Sequence, residues 1–274
     1  AIQCGRMPEQ EFSVEGIMNQ LNLTRKGCLT NAGKVLFSNS RPLSLKMAVF
    51  ATNYKDTFLD ISREDGNVFQ LIDVAMQYVI KNIRWRVELS EDKIHRDEIP
   101  EVPIDAIREA VINSFAHARY DIAIQHEIDV FSNRILFTNP GSFASDFEPE
   151  DYSKQNLPSS LRNEVIANVL FRCKDVETFG SGLRKIYTLC AANDVTVQYE
   201  NHETSFGISF SRIDRNIISA GTINGTINGT INEQEAELLG FIMKDANITV
   251  NQLAEHLGKS VRTVNRLLSS LKGK

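Results

Sequence analysis

The sequence feature that most constrains the fold is a helical pattern over residues 103–120, which read PIDAIREAVINSFAHARY. At about 100° per residue, four apolar side chains form one stripe along such a helix: Ile104, Ile107, Val111 and Phe115. The polar side chains on the opposite side are Glu109, Asn113 and His117. Alanines flank them where a solvated helix normally carries Lys, Glu or Gln. The pattern predicts a helix that packs its stripe on a sheet and whose polar side is approached closely by another group.

Glu109 and Asn113 lie one helical turn apart, and this pair suits a metal-bound phosphate. A carboxamide offers a neutral oxygen to a hard cation such as Mg²⁺, while a carboxylate can orient or deprotonate a water. A lone histidine on a helix is more often a structural residue, so His117 ranks below the other two as a ligand-binding candidate.

Two glycine elements follow this helix. Asn139 and Gly141 come after a predicted hairpin of residues 122–131 and 134–138, where they either shape a ligand pocket or only turn the chain. The sequence Gly180-Ser181-Gly182 runs into an amphipathic helical pattern. Backbone N–H groups that converge before a helix can hold an anion, although many such glycines serve only as turns. Residues 142–160 lack periodicity, which predicts a mobile segment or a lid.

The sequence around these residues resembles one family. The segments EAVINSFAHARYD, ILFTNPGS, LRNEVIANVLF and ETFGSGLRKI occur in this order. They are similar to the C-terminal region of RecG-like transcriptional regulators, also labelled ATP-dependent DNA helicase-related. Glu109 and Asn113 resemble the E-x-x-x-N box of the wider ATPase superfamily that includes gyrase, Hsp90, histidine kinases and MutL. The resemblance spans residues 22–210 and continues into a helix-turn-helix.

This resemblance implies an α+β domain in which a mixed, mostly antiparallel sheet is covered by helices and binds ATP with Mg²⁺. It implies that Glu109 is the catalytic carboxylate and Asn113 the metal ligand. The other implied nucleotide-binding residues are His117, Asn139, Gly141, Arg162, Gly180, Ser181 and Gly182. Asn139 stands where the superfamily has Asp, so adenine selection is expected to be less strict. Arg162 could equally form a surface salt bridge.

Composition narrows the function classes. The 274 residues are 42% hydrophobic and 24% charged, and no apolar run approaches the roughly 18 to 20 residues needed to cross a bilayer. We therefore expect a cytoplasmic protein without a membrane partner. The four cysteines lack C-x-x-C spacing, which predicts neither zinc nor disulfides. A P-loop pattern is missing, which argues against a P-loop motor. The net charge of −5 predicts that any DNA contact is local.

The chain is predicted to contain four regions. Residues 1–40 form a helical lead-in, which the resemblance places after a further N-terminal domain. Residues 41–215 form the ATPase-like domain. Residues 216–232 repeat Thr-Ile-Asn-Gly, which indicates a flexible tether or a strand added to an open sheet edge. Residues 233–274 form a helix-turn-helix domain, with a homodimer as the expected assembly.

The last region is predicted to form helices over residues 233–244, 249–257 and 260–271. Ser260 is the expected cap of the final helix, and its buried stripe is Val261, Val264, Leu267, Leu268 and Leu271. The predicted DNA contacts are Ser260, Arg262, Thr263, Asn265 and Arg266, since these side chains suit base edges and phosphates. Dimerisation is the alternative role for this module.

Three functional hypotheses remain open from the sequence. The first is a transcriptional regulator in which ATP and Mg²⁺ control the presentation of the helix-turn-helix. The second is an ATPase accessory to DNA metabolism. The sequence alone does not decide whether the chain has even a weak ATPase activity. The third is a non-catalytic dimerisation scaffold with a decayed nucleotide pocket.

Overall fold

The structure is a computed structural model and describes residues 13–40, 42–88, 97–155, 157, 158, 160–173, 182–212, 238 and 249–272. The chain divides into two compact units, Ala1–Asp214 and Arg215–Lys274. Each unit has its own buried apolar cluster.

The first unit begins with α1 (Val14–Gln20), the antiparallel pair β1 (Thr24–Arg25) and β2 (Cys28–Leu29), and α2 (Asn31–Phe37). It continues with β3 (Leu43–Phe50), β4 (Phe58–Gly66), α3 (Val68–Asn82), the antiparallel pair β5 (Trp85–Glu88) and β6 (Asp97–Pro100), and α4 (Ile104–Ala116). There follow β7 (His126–Val130), β8 (Arg134–Pro140), α5 (Asp151–Lys154), α6 (Glu164–Arg172), α7 (Gly182–Ala191), β9 (Val197–Asn201) and β10 (Ser205–Ser211).

A six-stranded sheet in the order β4-β3-β7-β8-β10-β9 forms the frame of this unit. Its neighbours pair antiparallel except β3 and β7, which are parallel because the chain passes through α3 and α4 between β4 and β7. The predicted α+β fold with a mixed, mostly antiparallel sheet covered by helices is therefore confirmed.

Alternate residues of the central strands face the helices, as the two-residue period of a strand requires. They are Leu45, Met47, Ile128, Val130, Ile135, Phe137, Ile208 and Phe210. The predicted stripe of α4 packs in this cluster, where Ile107, Val111 and Phe115 are at most 1% exposed. Leu23 and Leu36, from the first forty residues, join the same core. The core fixes α4 against the sheet and so determines where its polar side lies.

The second unit contains α8 (Val250–His256) and α9 (Val261–Lys272). Its core consists of Leu238, Leu253, Ala254, Val264 and Leu267. The Thr263 backbone N–H donates to Ser260 Oγ at 3.2 Å, so Ser260 caps α9 as predicted.

Several local predictions differ from the structure. Val261 is 43% exposed rather than buried, because it begins α9 beyond the small core that Val264 and Leu267 fill. β6, whose sequence DEIP shows no alternation, pairs with β5. β8 extends through Pro140 because Asn139 pairs with Phe206, so Asn139 lies in the strand rather than after it.

One other boundary also shifts. β7 begins at residue 126 rather than 122. Gly180, Ser181, the repeat at residues 216–232 and, apart from Leu238, the helix predicted over residues 233–244 lie outside the described residues.

Candidate functional site

The polar side of α4 is turned into the protein rather than toward solvent. Glu109 is 3% exposed, and Asn113 Nδ2 donates to its Oε1 at 3.2 Å. Burial of a carboxylate is costly unless hydrogen bonds or opposite charges compensate it. The pair predicted from the sequence is therefore also a contact in the fold.

Gly182, the first residue of α7, lies directly against this pair. A Cβ atom at Gly182 would stand 2.5 Å from Glu109 Oε1 and 3.1 Å from Asn113 Nδ2. A side chain at this position would force the buried Glu109 carboxylate or α7 to shift, so glycine allows the observed close approach of α7 to α4. The structure thus brings the third residue of the predicted glycine element to Glu109 and Asn113.

Lys185 supplies a positive charge at the same place. Its Nζ lies 4.0 Å from Glu109 Oε2. A cation in the first turn of a helix opposes the helix dipole unless a negative group compensates it, and Glu109 is such a group. Sequence reasoning did not select Lys185 as a site residue, although its position in the first turn was the available signal.

A small cavity opens beside these residues, with a volume of ≈ 90 Å³. Four of the predicted site residues line it: Asn113, His117, Asn139 and Gly182. The rest of the lining is mostly apolar and includes Phe143, Tyr152, Leu183 and Phe206. Pockets that enclose drug-sized ligands have volumes of roughly 300 to 1,000 Å³, so this cavity is too small for a whole nucleotide as it stands.

The segment after β8 fills the space beside the cavity. Tyr152 is 6% exposed, and its hydroxyl lies 2.8 Å from Ser145 Oγ. The Phe143 ring lies 5.0 Å from the Phe206 ring, and the Phe143 backbone N–H donates to Asn201 Oδ1 at 2.9 Å. The described part of residues 142–160 is therefore packed against the site.

Asn139 and Gly141 have different surroundings. Asn139 is 5% exposed, lines the cavity and donates from Nδ2 to the Pro140 carbonyl at 3.1 Å, which leaves its Oδ1 for another partner. Gly141 has φ 89°, a conformation that favours glycine. A Cβ there would stand 2.6 Å from both Arg119 Cγ and Arg162 Nη1. Crowding and backbone conformation both explain the glycine.

Arg162 lies beside Gly141, and the lining of the cavity among the described residues does not include it. Its Nη2 donates to the Ser142 carbonyl at 2.6 Å. Burial and the neighbouring Arg119 guanidinium lower the pKa of Arg162. The arginine therefore anchors the beginning of the segment over the cavity.

His117 ends α4, and its backbone N–H donates to the Asn113 carbonyl at 3.0 Å. Burial, assisted by the Arg162 charge, lowers the pKa of His117 to about 4. The imidazole is therefore neutral at pH 7 and faces the cavity as a hydrogen-bonding group rather than as a charge.

Asn163 positions the end of α4, a role that the sequence did not reveal. Its Nδ2 donates to the carbonyls of Ala116 and Ala118 at 3.0 and 2.7 Å. These bonds satisfy carbonyl groups that a helix end leaves without helical partners.

The predicted DNA-contacting residues divide into two groups. Arg262, Asn265 and Arg266 are exposed on α9. Ser260 and Thr263 instead hydrogen-bond each other through their hydroxyls at 2.9 Å, within the cap of α9. The exposed arginines and asparagine present the side chains that read base edges and phosphates.

Among the described residues, no group of three or more His, Cys, Asp and Glu side chains is arranged to hold a metal ion. Every helix in the described part of the chain is too short or too polar to cross a membrane.

Two family models match separate parts of the chain. Residues 124–210 match the family described as "Putative ATP-dependent DNA helicase recG C-terminal", and residues 231–273 match "Winged helix-turn-helix DNA-binding". The chain thus carries a RecG C-terminal-like domain of the ATPase fold followed by a winged helix-turn-helix DNA-binding domain. This order confirms the resemblance seen in the sequence. The helix with Glu109 and Asn113 precedes the first matched range.

The fold is also similar to that of a solved protein. The crystal structure of the DIP2311 protein from Corynebacterium diphtheriae superposes with a TM-score of 0.62 at 16% sequence identity. The similarity covers 95% of this chain and 54% of that chain, so the present chain spans about half of that protein's length. At this identity the likeness concerns the fold alone. The comparison with curated proteins found no match.

Proposed function

We propose that this protein is a DNA-binding transcriptional regulator whose main domain binds ATP with Mg²⁺ and thereby controls how the winged helix-turn-helix is presented to DNA. One observation carries the proposal. Gly182 approaches Glu109 and Asn113 so closely that an added methyl group would force a neighbour to shift, and a cavity lined by Asn113, His117 and Asn139 adjoins this contact.

The donor set suits a nucleotide. The Asn113 Nδ2 donates a hydrogen bond to Glu109, so Asn113 Oδ1 is the atom that would coordinate Mg²⁺. The N-terminus of α7 and Lys185 supply positive potential for phosphates. Asn139 Oδ1 would accept a hydrogen bond from the base, with Phe206 and Leu183 as apolar neighbours. Bound ATP with Mg²⁺ would place its negatively charged phosphates next to Lys185 and the N-terminus of α7.

Binding of a whole nucleotide requires the segment over the cavity to move. The cavity of ≈ 90 Å³ is lined in part by Phe143 and Tyr152, which belong to this segment. Outward movement of these two rings would enlarge the space next to Gly182. We therefore expect the nucleotide to bind an open conformation that differs from the closed arrangement described above.

Hydrolysis is a second candidate activity, and the burial of Glu109 beside Gly182 favours it. A carboxylate in this position could orient a water toward a bound phosphate. Phosphate release by the wild type, abolished in Glu109→Gln, would support an ATPase role. Nucleotide binding without phosphate release would support regulation by occupancy alone.

DNA binding under control of nucleotide is the direct test of the proposed function. Duplexes selected from a random-sequence pool by the full chain serve as the labelled probe, and anisotropy gives the dissociation constant with and without Mg·ATP at fixed salt. We expect nucleotide to change this constant by roughly fivefold or more. An unchanged constant at saturating Mg·ATP would contradict control by nucleotide, and failure to select any duplex would contradict the regulator itself.

A further inference from the structure

A buried ion pair connects the entry of α4 to the end of β10. Arg212 Nη2 lies 2.8 Å from Glu101 Oε1, and Arg212 Nε donates to the same oxygen at 2.9 Å. The side chains of Arg212 and Glu101 are 6% and 8% exposed. The two residues are 111 positions apart in the sequence, so the pair joins distant parts of the chain.

Both partners are held by further hydrogen bonds. Arg212 Nη1 donates to the Phe131 carbonyl at 2.6 Å, and the Arg212 backbone N–H donates to the Asn133 carbonyl at 2.7 Å. Glu101 Oε1 also accepts from the Arg84 backbone N–H at 2.8 Å. The guanidinium and the carboxylate therefore have a fixed geometry rather than one averaged over many rotamers.

Stability alone does not account for a buried pair at this place. The cost of removing two charges from water offsets most of their attraction, and apolar residues of similar volume are often as stable. The position of the pair, between the start of α4 and the end of β10, instead suggests a role in connecting these two elements. Glu101 lies just before Ile104, where α4 begins, and α4 carries Glu109 and Asn113. Arg212 directly follows β10, and from there the chain continues to the winged helix-turn-helix region at residues 231–273.

We propose that the Glu101–Arg212 pair transmits nucleotide occupancy from α4 to the segment that leads to the DNA-binding domain. This inference rests on the proposed function of the site. Because α4 is a continuous helix, a shift of Glu109 and Asn113 on ligand binding also moves its entry. Glu101 also lies 4.0 Å from Arg84 Nη1, but separation of the pair would leave the buried Arg212 guanidinium without its carboxylate, so Arg212 moves with Glu101. The point at which the chain leaves β10 is then displaced.

The test compares the effect of Mg·ATP on DNA affinity in full-length variants. Glu101→Gln keeps the shape and hydrogen-bonding oxygen of the side chain but removes its charge, and Arg212→Lys keeps the charge but removes the branched contacts. Lys55→Met is the matched control, because it breaks a different ion pair, in which Lys55 Nζ lies 2.7 Å from the nearly buried Asp129 Oδ2 of β7. Thermal unfolding establishes that each variant is folded at the assay temperature.

We expect Mg·ATP to shift the DNA dissociation constant of the wild type and of Lys55→Met by roughly fivefold or more. In Glu101→Gln and Arg212→Lys the shift should fall below about twofold, while calorimetry still detects nucleotide binding. Pair variants that bind nucleotide and keep the wild-type shift would overturn the proposed link alone. If the wild type binds no nucleotide, or if Mg·ATP does not change its DNA dissociation constant, the proposed function is overturned together with the link.

Discussion

At Gly182, the absence of a side chain allows two helices to meet around a carboxylate. Replacement by alanine places a methyl group 2.5 Å from Glu109 Oε1, so either α7 or the carboxylate must shift. We expect Gly182→Ala to lower the affinity for Mg·ATP about tenfold or more and to destabilise the first unit by about 1–3 kcal/mol. Calorimetric titration and chemical denaturation measure the two effects.

Gly16→Ala is the control for this prediction. Gly16 lies in α1, and the nearest atoms to an added Cβ are 3.4 Å away, which is ordinary contact. Alanine should be tolerated there or stabilise the helix by about 0.5–1 kcal/mol. Equal nucleotide affinity in wild type and Gly182→Ala would contradict the role given to the glycine.

His126 makes stability depend on pH. It is 3% exposed, stacks on Phe115 at 4.3 Å, and neither ring nitrogen has a hydrogen-bond partner among the described residues. Burial lowers its pKa to about 3 from 6.5. Between pH 6.5 and about 3, the imidazole therefore binds a proton in the unfolded chain but not in the folded chain. The free energy of unfolding consequently falls as the pH decreases below 6.5. The slope from this residue is about 1.4 kcal/mol per pH unit.

Urea denaturation at pH 7 and pH 5, followed by the fluorescence of Trp85, measures this effect. His126→Phe removes the titrating ring and should lower the slope by about 1.4 kcal/mol per pH unit, with a higher free energy of unfolding than the wild type at pH 5. His117, whose pKa is also lowered by burial, keeps its own contribution. His202→Gln, which removes an exposed imidazole, should behave as the wild type. An unchanged slope in His126→Phe would rule out this origin of acid sensitivity.

Some residues of the candidate site could be proposed from the sequence and others could not. The spacing of Glu109 and Asn113 within one helical pattern is local information, so it is visible in the sequence. Lys185 reaches Glu109 from another helix, and Asn163 reaches Ala116 from beyond the hairpin. Such contacts depend on the packing of distant segments, which periodicity alone does not specify.

Among the elements, we expect the segment over the cavity to limit access to the site. Phe143 packs on Phe206 and forms an edge contact with Tyr152. Phe143→Ala removes these contacts and lowers the population of the closed state, so the observed association rate of a fluorescent ATP analogue should rise by roughly fivefold or more. Stopped-flow fluorescence is the measurement.

Phe147→Ala provides the comparison, since Phe147 belongs to the same segment but is 43% exposed. It should leave the association rate unchanged. If Phe143→Ala and Phe147→Ala associate with the analogue at the same rate as the wild type, closure by this segment is not what limits access.

The helix α9 should carry the affinity for DNA. Arg262→Ala and Arg266→Ala each remove an exposed cation and should weaken binding by about 1–3 kcal/mol where the arginine contacts a base. Loss of a phosphate contact should reduce the slope of log affinity against log salt by about one. Anisotropy titrations over a range of salt concentrations distinguish these cases.

Arg25→Ala, which removes an exposed arginine from β1 in the first unit, is the control and should not alter DNA binding. If the Arg262 and Arg266 variants bind DNA as tightly as Arg25→Ala, the exposed side of α9 is not the recognition surface.

Elements with strong periodicity were predictable because one apolar face must be buried. The stripe of α4 and the alternation of β3, β7 and β8 belong to this class. β6 was not predictable, since the short polar sequence DEIP becomes a strand only through pairing with β5. The burial of Val261 was predicted wrongly because helical spacing does not reveal where a small core ends.

At the scale of the whole molecule, the sequence predicted the combination of an ATPase-like α+β domain with a helix-turn-helix. Motifs in the order in which they occur along the chain carried that prediction, and the two family matches confirm it. The ion pair proposed to carry nucleotide occupancy toward the second unit could not be predicted from local patterns. The contact between Glu101 and Arg212 joins positions that no motif connects.

Calorimetric titration of the full chain with Mg·ATP tests the central claim most directly. The account predicts saturable heat at one site per chain, lost in Asn113→Ala and kept in Asn193→Ala, which alters an exposed asparagine beyond the end of α7. No saturable heat from the wild type, or equal heat from Asn113→Ala, would contradict a nucleotide site between α4, β8 and α7.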